Sequence, residues 1–181
     1  MYSYNIVFPD KNKVELRKEK IGVLKEGELL CEADKSLISI GTELTCLKGI
    51  FDPGSGWANF VKYPFYPGYG MTATVIEIAK KTNGDNIKIG DRIGTYIPHR
   101  QYFKVKEYDI YKIPEKITME EATFAPLACT TQLGVRRAKI ELGETVCVIG
   151  LGMLGQLTIQ YLKNMGIRRL IAIDPITSRV E

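Results

Sequence analysis

The stretch Glu144-Thr-Val-Cys-Val-Ile-Gly-Leu-Gly-Met-Leu-Gly155 constrains this chain more than any other. Val146, Cys147, Val148 and Ile149 form a short apolar run that reads as a buried parallel strand. Gly150, Gly152 and Gly155 follow as G-x-G-x-x-G. Leu154, Leu157, Thr158, Tyr161, Leu162 and Met165 then recur at the spacing of one helical face. Gly166 is placed to end that helix, and Arg168 and Arg169 lie just past its negative end. Leu170, Ile171 and Ile173 make a second strand, which ends in Asp174.

Strand, glycine turn, helix and strand in this order predict a dinucleotide site. Gly150 allows a tight turn, Gly152 lets a pyrophosphate approach the backbone, and Gly155 lets helix and strand pack closely. The amides of Gly152, Met153 and Leu154 stand at the helix start, where free N–H groups and the helix dipole favour phosphate. Asp174 follows Gly155 by 19 residues, at the distance where a carboxylate accepts the adenosine ribose hydroxyls and repels a 2′-phosphate. The expected cofactor is therefore NAD(H) rather than NADP(H). Arg179, five residues further on, is included among the expected cofactor contacts.

Composition narrows the alternatives. The 181 residues carry 25 basic and 21 acidic side chains spread along the chain, so a nucleic-acid partner is not expected. No apolar run approaches membrane-spanning length, and no leader is visible at Met1-Tyr-Ser-Tyr. Cys31, Cys46, Cys129 and Cys147 are scattered without a C-x-x-C, which suits free thiols in a reducing cytoplasm. A doubly wound nucleotide domain has about six strands. This chain supplies two, so the domain is expected to be the truncated start of one. Its unpaired apolar strand edge favours a homo-oligomer.

The first hundred residues read as short strands punctuated by glycine and proline. Strands are predicted at Asn5–Pro9, Val14–Lys18, Glu28–Asp34, Ser36–Ile40, Met71–Ala79, Gln101–Lys106 and Asp109–Lys112. Another is expected after a turn at Gly90-Asp91, and Lys80–Asn86 is expected to be a polar turn. Asp52–Phe60, carrying the sole Trp57, reads as a loop. Many short strands of this kind argue for a small β-barrel. Thr118-Met-Glu-Glu121 fits a capping box. Pro126 is expected to stop or kink that short helix, and Leu127 to about Lys139 to form a longer one.

Gly41-Thr-Glu, Pro67-Gly-Tyr-Gly followed by Val75-Ile-Glu-Ile, Ile89-Gly-Asp-Arg-Ile93, Ala125-Pro-Leu-Ala-Cys129 and the glycine fingerprint occur in this order. The set resembles the medium-chain dehydrogenase/reductase superfamily, the zinc-type alcohol dehydrogenases and their relatives. The resemblance implies an α+β chain. A GroES-like β-barrel, the catalytic and substrate domain, would span 1–124. The truncated βαβ start of a Rossmann domain, binding NAD, would span 125–181. It also implies an oxidoreductase that moves a hydride between the nicotinamide and a small alcohol or carbonyl.

The ligand positions of the family's catalytic zinc depart from its pattern. Ile40 stands where a cysteine is usual, Tyr69 where the histidine is usual, and Gly70 where its neighbouring glutamate is usual. Cys129 alone remains, and zinc needs three protein ligands. No metal site is therefore expected, and the motifs resemble a smaller, zinc-poor branch. By the same resemblance Thr42 and Tyr69 are the catalytic candidates, and Trp57 and Cys129 the substrate-side ones. Cys129 also reads, blandly, as a buried helix thiol. Glu43 takes the family's acidic supporting position, and without a metal-bound histidine a salt bridge or cap is its expected role. Two alternatives stay open: a zinc dehydrogenase with unconventional ligands, Cys129 with His99, and a non-catalytic GroES-like binding or assembly module.

Overall fold

The computed structural model describes residues 1–80 and 87–181, in two compact units, 1–124 and 125–181. The predicted turn at Lys80–Asn86 thus falls almost wholly outside the described residues.

In the first unit β1 (Tyr2–Val7) and β2 (Glu15–Lys20) pair as an antiparallel ribbon, Tyr4 opposite Lys18 and Ile6 opposite Leu16. Strand β2 turns Leu16 outward, and its half-buried positions are Glu15, Arg17 and Glu19. Polar partners explain this. Asn5 donates to Glu19, Tyr66 donates to Glu19, and Arg17 pairs with Glu15.

The main sheet contains β3 (Glu28–Ser36), β4 (Met71–Ile78), β5 (Arg92–Thr95), β6 (Tyr102–Lys106) and β7 (Ile110–Lys112). Its order is β6-β3-β4-β5-β7, and the pairings are antiparallel. Register shifts in β3 at Leu30/Cys31 and Ala33/Lys35 bend the strand, and the sheet curls around its core. That core is Leu29, Cys31, Met71, Ala73, Val75, Ile93, Phe103 and Val105. The ribbon is a separate two-stranded sheet. It is tied on by Ile6 N–H donating to His99 O (3.1 Å), Gln101 N–H donating to Tyr4 O (2.9 Å) and Phe8 exchanging bonds with Phe65.

Two segments differ from the sequence reading. Ser36–Ile40 is not a separate strand: β3 ends at Ser36 and helix α1 runs over Ile40–Lys48. Glu43 stabilises its start by accepting Ser39 N–H at 2.7 Å, and Gly49, with φ 62°, closes it in the left-handed region. The loop around Trp57 contains a short helix, α2 (Gly56–Phe60), capped by the Ser55 hydroxyl. The expected capping box at Thr118 and Glu121 is present, and opens α3 (Met119–Ala122).

The second unit holds α4 (Ala125–Arg137), β8 (Thr145–Ile149), α5 (Met153–Lys163) and β9 (Arg169–Ile173). Pro126 sits in the first turn of α4, where its missing N–H breaks no helical bond, so the helix continues past it. β8 and β9 pair in parallel, Thr145 with Arg169 through Ile149 with Ile173. Helices α4 and α5 meet at Tyr161, whose hydroxyl donates to Ala128 O. The strands are not buried on both faces as read from the sequence. Val146, Val148, Leu170 and Ala172 are half-buried, whereas Cys147, Ile149 (82% exposed), Ile171 and Ile173 are exposed. Apolar side chains on both faces of a strand need a layer on each side, and here only alternate residues are covered.

Candidate functional site

The glycine turn joins β8 to α5. Gly150 has φ 93°, a left-handed conformation that glycine adopts at little cost. Its amide donates to Ile173 O at 2.7 Å, which ties the turn to β9. A Cβ at Gly155 would lie 1.9 Å from Gly150 O, so the first turn of α5 sits directly on the loop. Gly152, the N-cap, faces open space. The first turn of any helix leaves its amides without helical partners. Those of Met153, Leu154 and Gly155 are the ones in question, and Gln156 N–H makes the first helical bond, to Gly152 O.

Asp174 closes the same loop. One carboxylate oxygen accepts Leu151 N–H at 2.7 Å, and the other accepts Ile176 N–H at 2.8 Å. Arg179 Nη1 lies 3.4 Å from the first oxygen, and Arg179 O accepts from the Gln156 side chain. The Leu151 amide, then that of Ile176, hold the carboxyl below the usual carboxylate range, with Arg179 adding to them. The Asp174 side chain is only 2% exposed, while that of Arg179 is half open to solvent. The second unit thus gathers Gly150, Gly152, Met153, Leu154, Gly155, Asp174 and Arg179 around one turn. The clamp from Asp174 to the loop amide has no signature in sequence spacing alone.

In the first unit, Thr42 lies in the opening turn of α1, half-buried, its hydroxyl without a partner among the described residues. Thr45 spends its hydroxyl on Gly41 O at 2.8 Å. The Tyr69 hydroxyl donates to Ser39 Oγ at 2.5 Å, so Tyr69 reaches the N-cap of the helix that carries Thr42. Glu43 has the cap expected of it, and a buried partner in His99. It accepts Ser39 N–H with one oxygen and faces His99 Nε2 at 2.9 Å with the other. His99 and Glu43 are 4% and 6% exposed, and 56 residues separate them, so no local pattern foretold the pair.

Trp57 stacks on Phe51 at 6.3 Å and meets Phe60 edge-on at 6.4 Å, and Phe60 meets Phe65 at 5.6 Å. Trp57 and Phe60 remain partly exposed at the end of this aromatic series. Cys129 lies exposed on α4, not buried as one reading of it had it. His99, offered as an unconventional ligand, turns Nε2 to Glu43 instead. Among the described residues no group of three or more His, Cys, Asp or Glu side chains could hold a metal ion.

No family model matches the chain. An alcohol dehydrogenase of Geobacillus stearothermophilus is 26% identical over 198 aligned positions, covering 91% of this chain and 55% of the relative. Among solved structures, 2R,3R-butanediol dehydrogenase from Bacillus subtilis matches with a TM-score of 0.82 at 18% identity, covering 98% of this chain and 59% of that one. The proteins it matches over nearly its whole length are medium-chain, zinc-type alcohol dehydrogenases, and the chain is similar to their N-terminal portion. A putative zinc-binding dehydrogenase from Sinorhizobium meliloti 1021, solved bound to NADP, matches with a TM-score of 0.78 at 21% identity, over 99% of this chain and 58% of its own. The chain therefore spans little more than half the length of the proteins it matches. Among the described residues no helix is long and apolar enough to cross a membrane.

Proposed function

We propose that this chain is part of a nicotinamide-dependent oxidoreductase of alcohol dehydrogenase type, binding NAD(H) and working without a catalytic zinc. In this reading residues 1–124 are a GroES-like substrate domain and 125–181 begin a Rossmann domain. The substrate is a small alcohol or carbonyl. The cytoplasm is the compartment, and the open β8–β9 edge joins further strands or a second copy.

The observation that carries the reading is the interlock of Gly150, Gly155 and Asp174. It presents the free amides at the α5 N-terminus beside an open Gly152, the arrangement that favours a pyrophosphate. Arg179 makes the longest contact to Asp174, from an exposed side chain. It is the contact that a ribose hydroxyl replaces. A guanidinium beside that position also suits a 2′-phosphate, and the Sinorhizobium neighbour binds NADP. Preference between the two cofactors is therefore the sharp point of the proposal.

The bound cofactor supplies hydride exchange; the first unit supplies hydrogen bonds. Ser39 and Tyr69 each carry one hydroxyl proton and can accept as well as donate. When Ser39 donates to Tyr69, the Tyr69 proton is freed for a substrate oxygen that gains charge as hydride arrives. The unpartnered Thr42 hydroxyl is the second donor for that oxygen. Trp57 and Phe60 offer an apolar wall.

Parallel fluorescence titrations with NADH and NADPH, with elemental analysis of the same sample, test the proposal. Saturable NADH binding, weaker NADPH binding and no stoichiometric zinc are expected. Tighter NADPH binding overturns the cofactor assignment. Stoichiometric zinc overturns the metal-free assignment. Binding of neither cofactor leaves the non-catalytic module ahead.

A further inference from the structure

His99 and Glu43 have no part in the proposed chemistry, yet they are a buried, directly bonded pair. Their contacts form a closed circuit that begins and ends at one turn. The Tyr69 hydroxyl donates to Ser39 Oγ at 2.5 Å. Ser39 N–H donates to Glu43 Oε1 at 2.7 Å. Glu43 Oε2 meets His99 Nε2 at 2.9 Å. His99 N–H returns to Pro67 O at 2.8 Å. The His99 ring then lies flat against Gly68, where a Cβ would stand 2.8 Å from three ring atoms. Gly68 immediately precedes Tyr69 and has φ 99°, so the turn accepts the ring only because that residue is glycine.

Ser39, Glu43 and His99 are each more than nine-tenths buried. In such surroundings Glu43 cannot exchange either donor for water, and loss of one leaves part of a carboxylate unpaired. Tyr69 is thereby held from both sides: its hydroxyl through Ser39, its backbone through Gly68. The two supports meet at Glu43. His99 Nδ1 has no partner among the described residues, so Nε2 is the atom through which the imidazole acts.

We infer that Glu43 and His99 are positioning residues that fix the Tyr69 hydroxyl. The inference rests on reading Tyr69 as the donor to the substrate oxygen. Its test reads Tyr69 directly and needs neither cofactor nor turnover, so either can fail alone.

The test is ¹⁹F NMR of the full chain carrying 3-fluorotyrosine, with the Tyr69 signal assigned by Tyr69→Phe among the ten tyrosines. Ser39→Ala supplies the reference shift for a Tyr69 that has lost its acceptor. In His99→Phe the Tyr69 signal is expected to move toward that reference while the other signals hold. His99→Gln, which keeps an N–H donor for Glu43, is expected to restore it. A folded His99→Phe protein whose Tyr69 signal stays at the wild-type position overturns the inference, as does failure of His99→Gln to restore it. If His99→Phe does not fold, near-isosteric Glu43→Gln is read in its place with the same two outcomes. Failure of Glu43→Gln to fold as well assigns the pair to folding alone and overturns the positioning role.

Discussion

Replacing Gly155 with alanine tests the glycine turn through a single methyl group. The new Cβ would stand 1.9 Å from Gly150 O and 2.9 Å from Gly150 C, both backbone atoms. No rotamer change relieves such a contact, so loop and helix must part by roughly 1 Å or more to reach van der Waals separation. Overpacking of this kind costs about 1–3 kcal/mol, and a rigid backbone neighbour puts this site at the upper end. Alanine recovers at most about 1 kcal/mol of helix propensity. Gly155→Ala is therefore expected to destabilise the second unit by about 1–2 kcal/mol net. Parting the loop from the α5 amides is expected to weaken NADH by at least roughly tenfold, about 1.4 kcal/mol. Gly134→Ala is the control: it lies within α4, with nothing within 4 Å of its Cβ, and is expected to stabilise by about 0.5–1 kcal/mol. Urea unfolding followed by far-UV circular dichroism, with NADH titration of each variant, measures both. A Gly155→Ala protein as stable as wild type, with unchanged NADH affinity, refutes the interlock.

Three further outcomes follow from the geometry. Asp174→Asn keeps an acceptor for Leu151 N–H but loses the charge; hydrogen bonds to charged groups contribute about 1.5–3 kcal/mol, so NADH is expected to weaken roughly tenfold or more relative to NADPH by fluorescence titration. The carboxyls of Asp91, Glu28, Glu121 and Asp174 are all held below their ordinary values, Asp91 chiefly by Lys112 and the other three chiefly by backbone amides. Their stabilisation is complete above the ordinary carboxylate range and is lost as pH falls through the lower folded values, so the urea midpoint should fall below about pH 4. Burial pushes the Cys31 thiol up to about 12 and raises Cys46 as well, while Cys129 and Cys147 are exposed. A thiol reagent at about pH 8 should label Cys129 and Cys147 in the native chain and reach Cys31 and Cys46 only after unfolding; labelling of Cys31 in the native chain would contradict the packing.

The glycine turn was legible because its chemistry is local. A left-handed Gly150, a crowded Gly155 and a carboxylate at the end of the next strand leave a spacing that no side chain elsewhere alters. The Thr118–Glu121 box was legible for the same reason. Helix α1 was not, because Ile40, Gly41, Thr42 and Thr45 are weak helix formers. What holds it is Glu43 reaching back to Ser39, together with a long-range partner, His99. The exposed faces of β8 and β9 were misjudged because an apolar run records what a strand can bury, not what covers it. Tyr69 was singled out by its position in a motif, but its support through Ser39, Glu43, His99 and Gly68 depends on the fold bringing three segments together.

The central claim is that the turn from Gly150 to Gly155, with Asp174, binds a nicotinamide dinucleotide. Amide-resolved ¹H–¹⁵N NMR of the chain during NADH addition tests it most directly. The account predicts saturable shifts concentrated at Leu151, Gly152, Met153, Leu154, Gly155 and Asp174. Shifts confined to other segments, or none at saturating NADH, would contradict it.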